Sequence, residues 1–258
     1  MRASKMLAKF RSGRFARVCS MGHFLPFYVR YAAHFKFDGI WLDLEHRNMS
    51  DREVQALLAM CHAADIDCMV RPPTLERTKL YRYLEDGASG FLVPLISTPE
   101  MANDLVQAAK FPPIGNRGMD GAGLDSDFGI AAWGEGMDFA GDANRETFIL
   151  PQIETLEAVA NAEAIASIEG IDGLFLGPAD LQMRIGAAAG TSMTFDKAVE
   201  TVAAACEKHN KVWGIAVGSL EQLKRYQAMG AQIVPWGGDF SLMSVLDARS
   251  KELDSAGL

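Results

Sequence analysis

Short apolar runs, each followed by a stretch with helical spacing, recur along the whole chain, and this rhythm restricts the fold more than any other feature. The runs are Val18-Cys19, Gly39 to Leu44, Cys68 to Val70, Gly90 to Ile96, Thr147 to Gln152, Gly173 to Gly177, Val212 to Val217 and Ala231 to Pro235. Continuous apolar runs of this length suit parallel strands covered on both faces. The segments between them read as helices. Arg52 to Ala64 has apolar residues at 54, 57, 58 and 61, with Asp51 placed to cap it; Leu75 to Glu85 is shorter and more charged. Leu156 to Ile168, Phe195 to His209, Leu220 to Met229 and Phe240 to Leu253 follow the same logic, and Pro99 to Lys110 starts with a proline, where a missing N–H does no harm. Eight strands alternating with helices predict a single (β/α)8 barrel spanning residues 1–258. A doubly wound open sheet is the competing architecture, but no GxGxxG run follows an early strand.

Composition narrows the function. With 49 % apolar residues, the chain can bury a large core, and a net charge of −8 speaks against nucleic acid or an anionic membrane surface as partner. Cys19, Cys61, Cys68 and Cys206 form no CxxC pair and read as reduced thiols. No apolar run approaches the roughly 18 residues of a membrane span. Met1 to Arg17 is basic but has no secretory h-region, so a cytoplasmic chain is expected. Phe111 to Asn144, rich in Gly, Asp and Pro, breaks the rhythm and reads as a long functional or mobile loop.

The strand ends carry the chemistry. Phe148-Ile149-Leu150 leads to Glu154, and Leu174-Phe175-Leu176 leads to Asp180, with a helical segment between. A right-handed crossover brings both carboxylates to one rim, where two acids without a basic neighbour suit a hard divalent cation. An acid after a strand also caps the helix that follows it, which is the plainer role for Glu154. The same rim should hold Asp43-Leu-Glu-His46, Arg71-Pro-Pro73, Gln152, Gly177-Pro-Ala-Asp180 and Pro235-Trp-Gly-Gly-Asp239. His46 exchanges a proton near neutral pH, or serves as a structural hydrogen-bonding residue. Arg71 is a fixed positive fork for a carboxylate or a developing enolate oxygen, or an ion-pair partner of Asp43 or Glu45. The N–H groups at Gly177-Pro-Ala-Asp180 either receive a substrate carboxylate or simply turn strand into helix. A cation, a basic fork, an imidazole and an anion-binding turn together suit proton abstraction next to a carbonyl, or carbon–carbon cleavage that yields an enolate.

Taken in order, Gly39-Ile-Trp-Leu-Asp-Leu-Glu-His46, Arg71-Pro-Pro73, Val93-Pro94, Arg117-Gly118, Pro151-Gln-Ile-Glu154 and Gly173-Leu-Phe-Leu-Gly-Pro-Ala-Asp-Leu181 resemble the HpcH/HpaI aldolase family. The resemblance runs from about the first strand to the last. It implies a (β/α)8 barrel that cleaves 2-keto-4-hydroxy acids to pyruvate and an aldehyde with Mg²⁺, Mn²⁺ or Co²⁺. On that resemblance, Glu154 and Asp180 hold the metal, His46 is the base working through water, and Arg71 holds the pyruvate ketone oxygen. Ala179 gives a backbone donor to the substrate carboxylate, Gln152 and Asp180 line the substrate, and Asp43 lies near the aldehyde end. It also implies a homo-oligomer, typically a hexamer built as a trimer of dimers, with the segment from Phe240 exchanged between subunits. Oxaloacetate decarboxylation, citrate-lyase-like cleavage and a catalytically silent keto-acid-binding barrel are the alternatives. Three departures stand out. Leu84-Glu-Asp-Gly-Ala88 places Glu85 where the family has an Asp that orients the catalytic His, so Glu85 or Asp86 is expected to orient His46. Met119 to Asp127 is acidic where the family is small and basic, and Trp236 replaces a small residue. These leave the metal–pyruvate half intact and the aldehyde open.

Overall fold

The computed structural model describes residues 2–258. Seven strands, β1 (Val18–Met21), β2 (Gly39–Asp43), β3 (Asp67–Arg71), β4 (Gly90–Val93), β5 (Phe148–Ile153), β6 (Gly173–Leu176) and β7 (Val212–Ile215), form one sheet in sequence order with every pair parallel. The helices are α1 (Lys5–Arg11), α2 (Pro26–His34), α3 (Asp51–Ala63), α4 (Arg77–Glu85), α5 (Pro99–Ala109), α6 (Phe139–Glu146), α7 (Leu156–Ala160), α8 (Ala162–Ala166), α9 (Pro178–Ala187), α10 (Phe195–Lys208), α11 (Leu220–Ala228) and α12 (Ser241–Ser255). The sheet is curled. The eighth apolar run is not a regular strand, because Pro235 has no N–H to give a ladder. Its backbone nonetheless bonds both edges: Gln232 N–H donates to Trp213 O (3.0 Å) and Ile215 N–H to Ile233 O (3.0 Å) on the β7 side. On the β1 side, Ala16 N–H donates to Gln232 O (2.8 Å) and Trp236 N–H to Val18 O (2.8 Å).

Side-chain alternation divides the interior into two layers. Cys19, Ile40, Leu42, Cys68, Val70, Phe91, Ile149, Leu174 and Ile215 pack beneath the helices in the main core. Residues of the other parity, Val18, Met69, Leu92, Phe148, Leu150, Phe175 and Val212, form a second cluster on the sheet's inner face. Helix α1, missed in the sequence, supplies Met6, Leu7 and Phe10 to that inner cluster, so it covers the amino ends of the strands. It is anchored by the fully buried Asp67 carboxylate, which accepts from Met6 N (2.7 Å), Ser4 Oγ (2.7 Å) and Arg2 Nη2 (2.5 Å). By the same parity Asp43, Arg71, Gln152 and Glu154 fall on the inner face, beyond the apolar layer, at the carboxyl ends.

Other local expectations need correction. Ser50, not Asp51, caps α3: its side chain accepts from Glu53 N–H while Glu53 reaches back to Ser50 N–H. The helix expected over 156–168 is two short helices broken at Asn161, whose side chain instead donates to Ser97 O at 2.8 Å. The Gly-rich stretch holds α6 and a short 3₁₀ turn at Leu124–Ser126, and a buried Arg117–Asp125 ion pair at 2.6 Å fastens it. Helix α12 buries none of its own residues. No helix among the described residues is long and apolar enough to cross a membrane.

Candidate active site

The site grows from the ends of β2, β3, β5 and β6. Trp41, Asp43 and Arg71 share the inner face, and Asp43 stands in register with Arg71. Arg71 is clamped from three sides. Its Nε donates to Asp43 Oδ1 (3.0 Å), its Nη2 pairs with Asp43 Oδ2 (2.8 Å), and its Nη1 lies 3.1 Å from Glu45 Oε2. Its guanidinium also sits over the Trp41 ring, 4.8 Å from the centroid. Both ion pairs considered for Arg71 therefore form. Asp43 Oδ1 additionally accepts from the N–H groups of Glu45 (3.1 Å) and His46 (3.2 Å), which folds the post-β2 loop back over the strand end. Burial alone would raise the Asp43 carboxyl, but the Arg71 hydrogen bond and charge outweigh it and hold it below the usual carboxylate range.

Glu154 follows β5 and is 4 % exposed. Its Oε2 accepts from Leu95 N–H (3.0 Å) and its Oε1 from Gln152 Nε2 (2.5 Å). Leu95 makes this donation from a left-handed conformation at φ 56°, a strained setting for leucine. Gly177 leaves room for the carboxylate, since a Cβ there would collide with Glu154 Oε1. Burial, with the nearby charges of Glu45 and Asp180, raises the Glu154 carboxyl from 4.5 to about 7. Two acids far apart in sequence thus come within electrostatic reach of Glu154, with Arg71 opposing them.

Asp180 lies in the first turn of α9, which Gly177 caps and Pro178 opens. Its side chain is 39 % exposed, and its Oδ1 accepts from Arg184 Nη1 at 2.8 Å. The preceding Ala179 N–H belongs to the first turn, where backbone donors have no partner within the helix. His46 stands at the open rim, 56 % exposed, with Nε2 3.5 Å from Glu45 Oε2. Glu85 and Asp86 do not meet it within the chain. They end α4, the helix that leads away from the rim. Asp86 accepts from Gln55 (3.0 Å), and Glu85, raised by burial, interacts with Arg117 and Asp125. Leu95 and Arg184 are the site residues that sequence reasoning passed over, and Glu45 was read only as an ion-pair partner of Arg71. Leu95 and Arg184 left no signal of a role at the site in the sequence.

A rim of clamped arginine, exposed imidazole and clustered carboxylates at the carboxyl ends of parallel strands defines an enzyme site for a small oxygen-rich substrate. The family is settled by comparison. The profile of the HpcH/HpaI aldolase/citrate lyase family matches residues 22–246, and the chain belongs to that family and is a lyase. It is 32 % identical over 220 residues to the hydroxypyruvate/pyruvate aldolase of Deinococcus radiodurans, covering 85 % of this chain and 78 % of that one. To the 5-keto-4-deoxy-D-glucarate aldolase of Klebsiella pneumoniae it is 34 % identical over 208 residues, 80 % and 79 % of the two chains. The crystal structure of an HpcH/HpaI aldolase from Desulfitobacterium hafniense superposes with a TM-score of 0.85 at 28 % identity, covering 95 % of each chain.

Proposed function

We propose that this lyase is a divalent-metal-dependent aldolase that cleaves or forms 2-keto-4-hydroxy acids through the enolate of pyruvate. The observation that carries the reading is the buried Glu154 carboxylate at the end of β5, held by two donors, with Asp180 and Glu45 nearby. Both curated relatives are named for aldolases of small oxo acids.

The donor set fits a hard cation. Among the described residues no three His, Cys, Asp or Glu side chains gather into a ready-made metal cluster. Glu154 and Asp180 nevertheless offer oxygens only, and the buried Gln152 Oε1 has no hydrogen-bond partner. Glu154 and Asp180 would hold Mg²⁺, Mn²⁺ or Co²⁺, which when bound supplies Lewis-acid stabilisation of enolate charge. Arg71, immobilised by Asp43, Glu45 and Trp41, turns its two remaining N–H groups toward the pyruvate ketone oxygen. Because Asp43 already gives both oxygens to Arg71 and the backbone, it acts at the aldehyde end chiefly by fixing that guanidinium. Ala179 N–H and the positive end of α9 receive the substrate carboxylate. Gln152 holds Glu154 and lines the pocket floor. His46 exchanges the proton of the 4-hydroxyl through water at the rim. A Glu85 contribution to a histidine requires the histidine of another copy.

The same reading completes a (β/α)8 barrel with residues 231–239 between β7 and β1, in one domain. It places α12 on a neighbouring subunit of a hexamer, a trimer of dimers, in the cytoplasm. The exposed Leu242, Met243, Val245 and Leu246 support that placement of α12. The test is pyruvate release from a panel of 2-keto-4-hydroxy acids and oxaloacetate, with and without chelator. Chelator should abolish release, and Glu154→Ala should remove metal binding and cleavage together. Turnover that persists in chelator, or in Glu154→Ala, overturns the assignment.

A further inference from the structure

We infer that Arg184 is a positioning residue for the metal-binding acids, an inference that rests on the aldolase reading above. Arg184 stands four residues after Asp180 on α9, so the two side chains share one face of the helix. One nitrogen does two things: Nη1 donates to Asp180 Oδ1 at 2.8 Å and to the main-chain carbonyl of Glu154 at 3.3 Å. The two segments that carry the acids are thereby tied to each other by a single guanidinium. This tie adds to the β5–β6 ladder, which ends with Gly177 N–H donating to Ile153 O at 3.1 Å, and to the fit of the Gly177 backbone against the Glu154 carboxylate. The pair is more than a third exposed on both sides, so its role is not stability: an ion pair screened to that degree adds little. What it fixes is direction. With Oδ1 engaged by Arg184, Oδ2 is the oxygen of Asp180 left for a cation, and the side chain loses the rotational freedom that an exposed aspartate at a helix start would keep.

Two opposite effects act here. A guanidinium beside a ligand orients it, which is worth about 10- to 100-fold in metal affinity at comparable outer-shell contacts. A positive charge near a dication repels it, an effect that solvent weakens at this exposure. Substitution separates them. Arg184→Met removes both hydrogen bonds and the charge. Arg184→Gln keeps a donor within reach of Asp180 and removes the charge alone.

The experiment is calorimetric titration of Mn²⁺ into the chelator-stripped full chain, which needs no turnover, with thermal melting in chelator confirming that each variant is folded. Arg184→Met should weaken Mn²⁺ binding about tenfold. Arg184→Gln should stay within about threefold of the wild-type chain, since hydrogen bonding and not charge does the positioning. Binding by Arg184→Met as tight as wild type or tighter overturns the inference, as does an equal loss in the Met and Gln variants. Failure of the parent reading looks different: the wild-type chain takes up no Mn²⁺, or Glu154→Ala binds it unchanged.

Discussion

Replacing Glu154 with glutamine should make the metal-free protein more stable while abolishing its chemistry. In the folded chain, burial first and the Glu45 and Asp180 charges second raise the Glu154 carboxyl from 4.5 to about 7. A carboxyl raised by folding contributes its full share below the unfolded value. As pH climbs, that share falls, and it is gone above the folded value. At about 1.4 kcal/mol per pH unit the loss between pH 4.5 and 7 approaches a ceiling of about 3 kcal/mol. Glutamine carries no charge, so it escapes this loss. Its contacts survive too: the new carbonyl can accept from Leu95 N–H, and its amide can donate to Gln152 Oε1, a buried oxygen with no partner in the native chain, once Gln152 turns over. The assay is urea unfolding of chelator-stripped wild type and Glu154→Gln from pH 4.5 to 8. The difference should be near zero at pH 4.5, grow through pH 7 and level off at 2 to 3 kcal/mol in favour of the variant, roughly the ceiling above. Mn²⁺ at about 100 times its dissociation constant should then restore roughly 2.7 kcal/mol to wild type and nothing to the variant. A difference already present at pH 4.5, or one below about 1 kcal/mol at pH 8, would refute the electrostatic account.

Three further outcomes follow from the geometry. His46→Ala should lower kcat by roughly 10²- to 10⁴-fold and leave Mn²⁺ affinity within about twofold, because His46 stands at the exposed rim outside the carboxylate pair; kinetics beside calorimetry checks it. Gly177→Ala should cost at least about tenfold in Mn²⁺ affinity because its methyl would displace the Glu154 carboxylate, while Gly186→Ala, with open space at its Cβ, should be neutral or add about 0.5–1 kcal/mol of helix stability. Asp67→Ala should cost about 2–4 kcal/mol in denaturant unfolding, since it strands three donors that anchor α1, and should leave Mn²⁺ affinity untouched.

The strands were legible because most are buried on both faces, so Phe148 to Leu150 and Gly173 to Leu176 read as unbroken apolar runs. The helices that went unread lack an inward stripe. In α2 the large aromatics Phe27 and Tyr31 face outward and only Val29 and Ala32 are buried. Helix α1 is seven residues that pack against the strand ends and not along the sheet, whereas the start of α9 was read from the Gly177-Pro-Ala-Asp180 turn. At the site, Asp43, Arg71, Glu154 and Asp180 could be found because strand-terminal polar residues on a parallel sheet converge whatever the loops do. Glu85 does not meet His46 within the chain because the C-terminal end of α4 lies away from the β2 rim, which its place at the end of the Leu75 to Glu85 span already implied. Leu95 left no trace, since its contribution is a backbone N–H whose direction depends on one left-handed residue.

That dependence bears on why the site is built as it is. The fold spends conformational strain at Leu95, gives up a side chain at Gly177 and buries an acid that would be more comfortable neutral, all within a few ångströms of one carboxylate. The strain at Leu95 and the charge on Glu154 do not help the chain fold, and Gly177 is needed only because a Cβ there would collide with the Glu154 carboxylate. They make sense together only if the charge on Glu154 is needed and something positive arrives to justify it. Arg71 is already committed to Asp43 and Glu45, and Arg184 to Asp180. On the aldolase reading the partner that keeps Glu154 charged is a cation from outside the chain, and an oxygen-lined, anionic pocket of this kind suits a small hard cation better than an organic one.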